Sequence, residues 1–110
     1  MDIHAQHDDA YAALPKFLRL ELVDFLRHNV SVQFFASMRV GWLIFKKDWF
    51  LQEDFHRKDG LNLRNLLRSS GYTDFDLPSG NWDDVYVPVL EAAAGLRPVL
   101  LPSEVDEQSV

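Results

Sequence analysis

Hydrophobic and polar positions alternate with a helical period along much of this chain. Between Pro15 and about His28 apolar residues return every three or four positions, with charged residues on the opposite face. Pro15 suits the first turn of such a helix, because no backbone N–H is needed there. A similar pattern begins at Leu61 and ends at Gly71, a residue typical of the position after a helix. Both stretches are therefore predicted to be helices.

Residues 30 to 45 allow two interpretations. Apolar residues occupy every second position from Val30 to Ile44, which is the period of a β-strand. The segment also places a set of apolar residues on one helical face: Phe34, Phe35, Met38, Trp42 and Phe45. Sixteen residues without a turn signal are long for a strand, so the pattern favours a helix. A β-hairpin that turns near Gly41 is the alternative, and it would make the fold α+β.

The C-terminal third is predicted to contain one further helix, which begins after Asn81. Asn81 can cap it, and Asp83 and Asp84 fall in its first turn, where the helix dipole favours negative charge. Pro88 lacks a backbone N–H, so it should kink this helix or start its second half. Gly95 should end it.

Together these patterns predict a mainly α-helical protein of four or five helices. We expect a single domain over residues 10 to 100, since 110 residues leave little room for two domains. Residues 1 to 9 are polar and residues 101 to 110 are acidic, and both segments are predicted to be flexible. The apolar content of 47% is enough for a buried core, which excludes disorder of the whole chain.

Composition also restricts location and chemistry. The absence of cysteine excludes disulfides, thiolate catalysis and cysteine-ligated zinc. The first residues lack the basic and apolar regions of a signal peptide, and the most apolar stretch, residues 30 to 51, is interrupted by charged residues. We therefore expect a cytoplasmic protein that neither crosses nor binds a membrane.

Charge is distributed unevenly along the chain. From Tyr72 to Val110 there are eight acidic residues and one basic residue, Arg97, a net charge of −7. Residues 1 to 71 hold ten basic and nine acidic residues, so the overall charge of −6 lies in the C-terminal third. An acidic surface attracts a basic protein and repels nucleic acid. The basic residues around Arg64 are interleaved with acids, so direct binding of nucleic acid is not predicted.

Aromatic residues lie among these acids and define a candidate binding site. Aromatic side chains supply much of the binding energy at protein interfaces, and surrounding charges steer association. The predicted partner-binding residues are Asp74, Asp76, Trp82, Asp83, Asp84 and Tyr86. Two other interpretations stay open: the acids serve only as helix-start charges and for solubility, or the aromatic residues all belong to the core.

Catalytic and metal-binding motifs have little support. Glu53 and His56 have the spacing found in carboxylate-bridged di-iron bundles, but such sites need a second pair, which the sequence lacks. The Gly-x-Ser-x-Gly motif and glycine-rich phosphate-binding motifs are absent as well. We therefore predict no enzymatic activity, no metal and no cofactor.

The run from residue 55 to 65 resembles a Phe-His…Gly…Arg-Asn signature of small bacterial helical domains of unknown function. The matching positions are Phe55, His56, Gly60, Arg64 and Asn65. In general profile (small, acidic, cysteine-free and rich in aromatic residues) the chain is similar to bacterial toxin-immunity proteins and phage anti-defence inhibitors. This likeness implies an inhibitor of a basic partner, such as a nuclease or a nucleic-acid-binding effector. The alternative is a regulatory or structural protein that forms a homodimer through residues 30 to 51.

Overall fold

A computed structural model describes residues 2–52 and 54–106, and every regular element in these ranges is a helix. The α-helices in these ranges are α1 (Ile3–Ala13), α2 (Lys16–Asn29), α3 (Val32–Phe45), α4 (Asp59–Ser69), α5 (Tyr86–Ala93) and α6 (Pro102–Asp106). Short 3₁₀ helices lie between them at Lys46–Leu51, Phe55–Arg57, Asp74–Asp76 and Trp82–Asp84. The prediction of a mainly α fold is confirmed, with more α-helices than the four or five expected.

The segment from residue 30 to 45 forms a helix, α3, and not a hairpin. The Ser31 hydroxyl accepts a hydrogen bond from the Phe34 backbone N–H at 3.1 Å and so caps the first turn. The helix buries Phe35 and Met38 and leaves several other apolar side chains exposed. The alternating pattern in the sequence arises because α3 carries apolar residues on its solvent-exposed side as well as on its buried side. Among the described helices, α3 included, none is long and apolar enough to cross a membrane.

Helix α5 forms the centre of the molecule. All eight of its residues are buried, and α1, α2 and α4 pack against it. Pro88 lies in its first turn, where the missing N–H costs nothing, so the helix starts beside the proline instead of being kinked by it. The 3₁₀ turn Trp82–Asp84 precedes it, and the Asn81 side chain accepts from the Asp83 N–H at 2.9 Å. The predicted single helix is therefore a capped 3₁₀ turn followed by an α-helix.

Residues 3 to 9 of the segment predicted to be flexible lie in α1, and the flexibility of residues 1 to 9 stays a prediction. His7 and Tyr11, one helical turn apart, are buried on the side of α1 that faces α5. The Tyr11 hydroxyl donates to the Val99 carbonyl at 2.9 Å, which ties the helix to a segment far along the chain. A narrow buried stripe is thus sufficient to hold a helix whose surface is mostly polar.

Residues 102 to 106 of the predicted flexible tail form α6, and residues 107 to 110 lie outside the described residues, so the flexibility of the tail stays a prediction. The guanidinium of Arg19 is buried, and its Nη1 donates to Glu104 Oε1 at 2.8 Å. This bond lowers the pKa of the Glu104 carboxyl to about 2. Because a buried guanidinium needs a counter-charge, the pair fastens α6 to α2.

Candidate functional site

Two of the predicted partner-binding residues, Trp82 and Tyr86, lie in the core. Each residue is 1% exposed, since the turn and helix that carry them direct both rings toward the centre of the fold. The Trp82 Nε1–H donates to the Tyr72 carbonyl at 2.8 Å, so its polar atom is also satisfied inside the protein. Their assignment to a partner interface is therefore wrong, and both residues stabilise the fold.

Phe75 is the strongly exposed aromatic residue of this region. It is 97% exposed and stands in the middle of the 3₁₀ turn Asp74–Asp76. The Asp76 carboxylate holds the turn, because it accepts from the Thr73 N–H at 3.0 Å and from the Thr73 hydroxyl at 3.1 Å. A fixed backbone therefore presents an apolar ring to solvent between two carboxylates.

Asp74 joins the loop that carries Phe75 to the rest of the protein. Its carboxylate accepts from Arg68 Nε at 2.8 Å, from Arg68 Nη2 at 3.1 Å and from the Trp82 backbone N–H at 2.9 Å. The guanidinium first, and then the backbone donor, lower the pKa of Asp74 to about 2. This predicted interface residue is thus a structural link whose charge is already balanced by Arg68.

The remaining predicted acids differ in how far they are balanced by neighbouring bases. Asp83 Oδ1 lies 3.1 Å from Arg64 Nε and 3.7 Å from Arg68 Nη2, and the Asp83 side chain is half-exposed. Asp84 is exposed and forms no ion pair with another described residue. Asp76 is also exposed, and its carboxylate bonds only to neighbouring Thr73 within the described part of the chain. A partner would therefore contact two carboxylates without a neighbouring base in the described ranges, those of Asp76 and Asp84, and one carboxylate, that of Asp83, whose charge is partly balanced by two arginines.

We call the surface made by Phe75, Asp76, Asp83 and Asp84 the acidic face. The hydrogen bond from the Trp82 N–H to Asp74 joins the two segments that carry it, so these residues lie on adjoining turns. The sequence identified the three acids as site residues but not the phenylalanine. The available signal was the position of Phe75 between two aspartates in a short segment with no helical repeat of apolar residues.

The run that resembles a bacterial signature forms a cradle around the buried Tyr86. The Phe55 ring stacks on the Tyr86 ring with 6.3 Å between centroids, and His56 Nδ1 lies 2.8 Å from the Tyr86 hydroxyl. The Arg64 guanidinium carbon lies 4.9 Å from the centre of the same ring. A Cβ atom at Gly60 would come within 2.9 Å of the hydroxyl, so a larger residue cannot enter without a shift. These residues therefore have a packing role.

The cradle favours the neutral forms of its histidine and its tyrosine. Partial burial, and then the positive charge of Arg64, lower the pKa of His56, while burial raises the pKa of Tyr86 to about 12. Arg64 Nη1 lies 2.8 Å and 2.9 Å from the two ring nitrogens of His56. These contacts join residues 56, 64 and 86, so the cluster supports the fold.

Glu91, in the middle of α5, is a second buried ionisable group. Its carboxylate accepts from Trp49 Nε1 at 2.9 Å and from Arg97 Nη2 at 2.9 Å. Arg97 also lies 2.8 Å from Asp8 on α1. These bonds satisfy the buried carboxylate and link three segments, which is a structural role.

Metal binding gains no support from the described residues, which contain no group of three or more His, Cys, Asp or Glu side chains able to hold an ion. Glu53, the carboxylate that the sequence pairs with His56, lies outside the described residues. His56 itself faces Tyr86 and Arg64, and a guanidinium is an unfavourable neighbour for a metal cation.

No protein-family model, curated protein or solved structure matches the chain. The resemblance to small bacterial helical domains, and the likeness to immunity and anti-defence proteins, therefore stay predictions.

Proposed function

We propose that this protein binds a basic partner protein through the acidic face, with Phe75 as the central contact. The observation that carries the proposal is the exposure of Phe75, which is 97% open to solvent beside exposed carboxylates. The free energy of binding becomes more favourable when a partner covers a phenylalanine that was exposed to water. Aromatic residues are also frequent hot spots of protein interfaces. The carboxylates around it favour a basic surface as the cover.

Pre-organisation of the loop supports the proposal further. The contacts of Asp76 with Thr73 and of Asp74 with Arg68 hold the turn before any partner arrives. Binding then costs less conformational entropy, because the backbone around Phe75 is already fixed. Such a surface suits rapid association that is steered by charge.

The class of partner that we propose is a nuclease or another nucleic-acid-binding effector, and the class of function is inhibition. These proteins carry basic clefts that bind phosphate groups. Carboxylates on a rigid surface can occupy such a cleft by imitating phosphate charge, and this needs neither a cofactor nor a catalytic group. The protein would then act as an inhibitor or immunity-like protein.

The test is an affinity capture from the source cells with matched variants. One variant is Phe75→Ala; a second is Asp76→Asn with Asp84→Asn, in which asparagine keeps the acceptor that Thr73 uses. The control is Asp9→Asn with Asp48→Asn, two exposed acids on α1 and on the 3₁₀ helix Lys46–Leu51, outside the acidic face. It changes the net charge equally, and asparagine at position 48 keeps the Oδ1 atom that lies 2.8 Å from His4 Nε2.

We expect the wild type and the control to retain the same basic protein at low salt and to lose it at high salt. Both acidic-face variants should lose it at low salt. With the purified partner, Phe75→Ala should weaken binding by about 30-fold, which is ~2 kcal/mol. Retention of the same proteins by all variants, or of acidic proteins regardless of salt, would overturn the proposal.

A further inference from the structure

Helix α3 carries a row of apolar side chains that no described part of the chain covers. The row, which we call the α3 ridge, consists of Val32, Val40, Leu43 and Ile44, each between 55% and 76% exposed. Val40, Leu43 and Ile44 follow one another at i, i+3 and i+4, so they lie side by side on one helical face. A contiguous apolar surface of this kind marks an interaction site more often than chance exposure.

An open groove of about 500 Å³ runs beside the ridge. Its apolar lining comes from α3 and the two 3₁₀ helices that follow it, and includes Met38, Gly41, Trp49 and Phe55. Val40 belongs to the ridge and also lines the groove, and the half-exposed ring of Phe45 lies on the groove side, so ridge and groove adjoin on one surface. We call this surface, ridge and groove together, the α3 face.

The α3 face is nearly free of charge in a strongly acidic protein. Between residues 32 and 45 the sequence has one charged residue, Arg39, and its Nη1 donates to the Ala94 carbonyl at 3.2 Å. Lys58 and Asp59 at the rim of the groove carry opposite charges. Two molecules that each carry a charge of −6 repel one another least where such a face is the contact.

We propose that a second copy of this chain covers the α3 face in a two-fold dimer. A two-fold contact requires the same patch on both molecules, and here the ridge of each copy meets the groove of the other. A different protein could bind the ridge or the groove alone, whereas a two-fold dimer requires both to lie side by side on the same surface. The groove also includes Gly41 and Ser37, two small residues one turn apart, which let a neighbouring helix approach closely.

The size of the ridge agrees with a dimer contact. The exposed fractions of the four ridge residues and Phe45 equal about three whole apolar side chains, or roughly 500 Å² per copy. A symmetric pair that covers these residues fully therefore buries about 1,000 Å² from them, which is where specific interfaces begin. Groove surface adds to this area.

Sedimentation analysis of the purified protein tests the proposal. We expect the wild type to be a dimer at about 100 µM, and to dissociate no more at about 500 mM salt than at about 50 mM. The variant Leu43→Gln with Ile44→Gln should be a monomer with unchanged helical circular dichroism, because both side chains lie in solvent in the monomer. The control is Phe17→Gln on α2, an equally exposed apolar residue that lies outside the α3 face, and it should remain a dimer.

A wild-type monomer at about 100 µM would overturn the proposal and assign the α3 face to a different protein or to a small apolar ligand. A dimer that survives in Leu43→Gln with Ile44→Gln would also overturn it. Cross-linking gives an independent reading, since the natural chain has no cysteine. Val40→Cys should form an intermolecular disulfide faster than Phe17→Cys, and equal rates would contradict the two-fold arrangement.

Discussion

The acidic face and the α3 face both expose apolar surface, but their surroundings differ. On the acidic face a single ring, Phe75, stands among carboxylates on a turn held by hydrogen bonds. On the α3 face several aliphatic side chains share a regular helix whose one charge, on Arg39, is bonded elsewhere. Salt should weaken contacts at the first face and spare or strengthen those at the second. The charge around an exposed apolar group, more than its exposure, therefore determines which partner it suits.

Replacement of Trp82 by alanine should have the largest effect, because this ring supports the acidic face from beneath. Truncation of a fully buried tryptophan costs ~3–5 kcal/mol of unfolding free energy. Phe75→Ala should change the same quantity by less than about 0.5 kcal/mol, since its ring contacts solvent. Urea unfolding followed by circular dichroism measures both values. Equal destabilisation by the two changes would show that the Phe75 ring is packed.

The buried and exposed sides of α3 can be separated in the same way. Met38→Ala should cost about 2–4 kcal/mol at any protein concentration, because Met38 is buried within the monomer. Val40→Ala should cost less than about 0.5 kcal/mol in dilute solution, where monomers prevail, and more in concentrated solution, where the dimer adds stability. Unfolding curves at two concentrations measure this difference. A cost that is independent of concentration would contradict a dimer contact at Val40.

The smallest effect concerns pH and the attachment of the acidic face. The pKa of Asp74 is lowered from 3.8 to about 2 in the folded protein, so its stabilising contribution is complete above about pH 4 and is lost as the pH falls through 2. Solvent screening limits that contribution to about 1 kcal/mol. Asp74→Asn should flatten the fall in unfolding free energy between pH 4 and pH 2.

The matched variant for that measurement is Glu104→Gln. The pKa of Glu104 is also lowered to about 2, but this group lies on α6 and its partner is Arg19. Removal of the Glu104 charge should reduce the slope of unfolding free energy against pH in the same range, while the part of the slope that Asp74 contributes should remain. A slope that Asp74→Asn leaves unchanged would mean that Arg68 does not stabilise the carboxylate.

Helices with one strongly apolar side could be predicted from the sequence. The predicted ranges for α2 and α4 differ from the observed ones by one or two residues, because apolar and charged positions separate clearly there. Helix α3 was ambiguous because apolar residues lie on its exposed side too. Helix α1 was missed because its buried stripe includes His7, which composition alone classes as polar.

The candidate site was predictable in its charge but not in its aromatic part. The acids of the acidic face follow from counting residues, whereas the direction of a ring depends on packing in three dimensions. Trp82, Val85, Tyr86 and Val89 are spaced at i, i+3, i+4 and i+7, a helical apolar stripe that also fits a place in the core. Phe75 is exposed and Trp82 is buried although each lies in a three-residue turn, so the length of the turn does not determine where the ring points.

The pairing of Arg19 with Glu104 has a consequence for the way the protein is made. The two residues are 85 positions apart, and a ribosome synthesises the guanidinium long before the carboxylate. Until Glu104 has emerged, α2 carries a positive charge with no counter-charge at a position that the finished fold buries. Burial of Arg19 is therefore expected to be completed only after residues 99 to 104, which supply the Val99 carbonyl and the Glu104 carboxylate, have emerged.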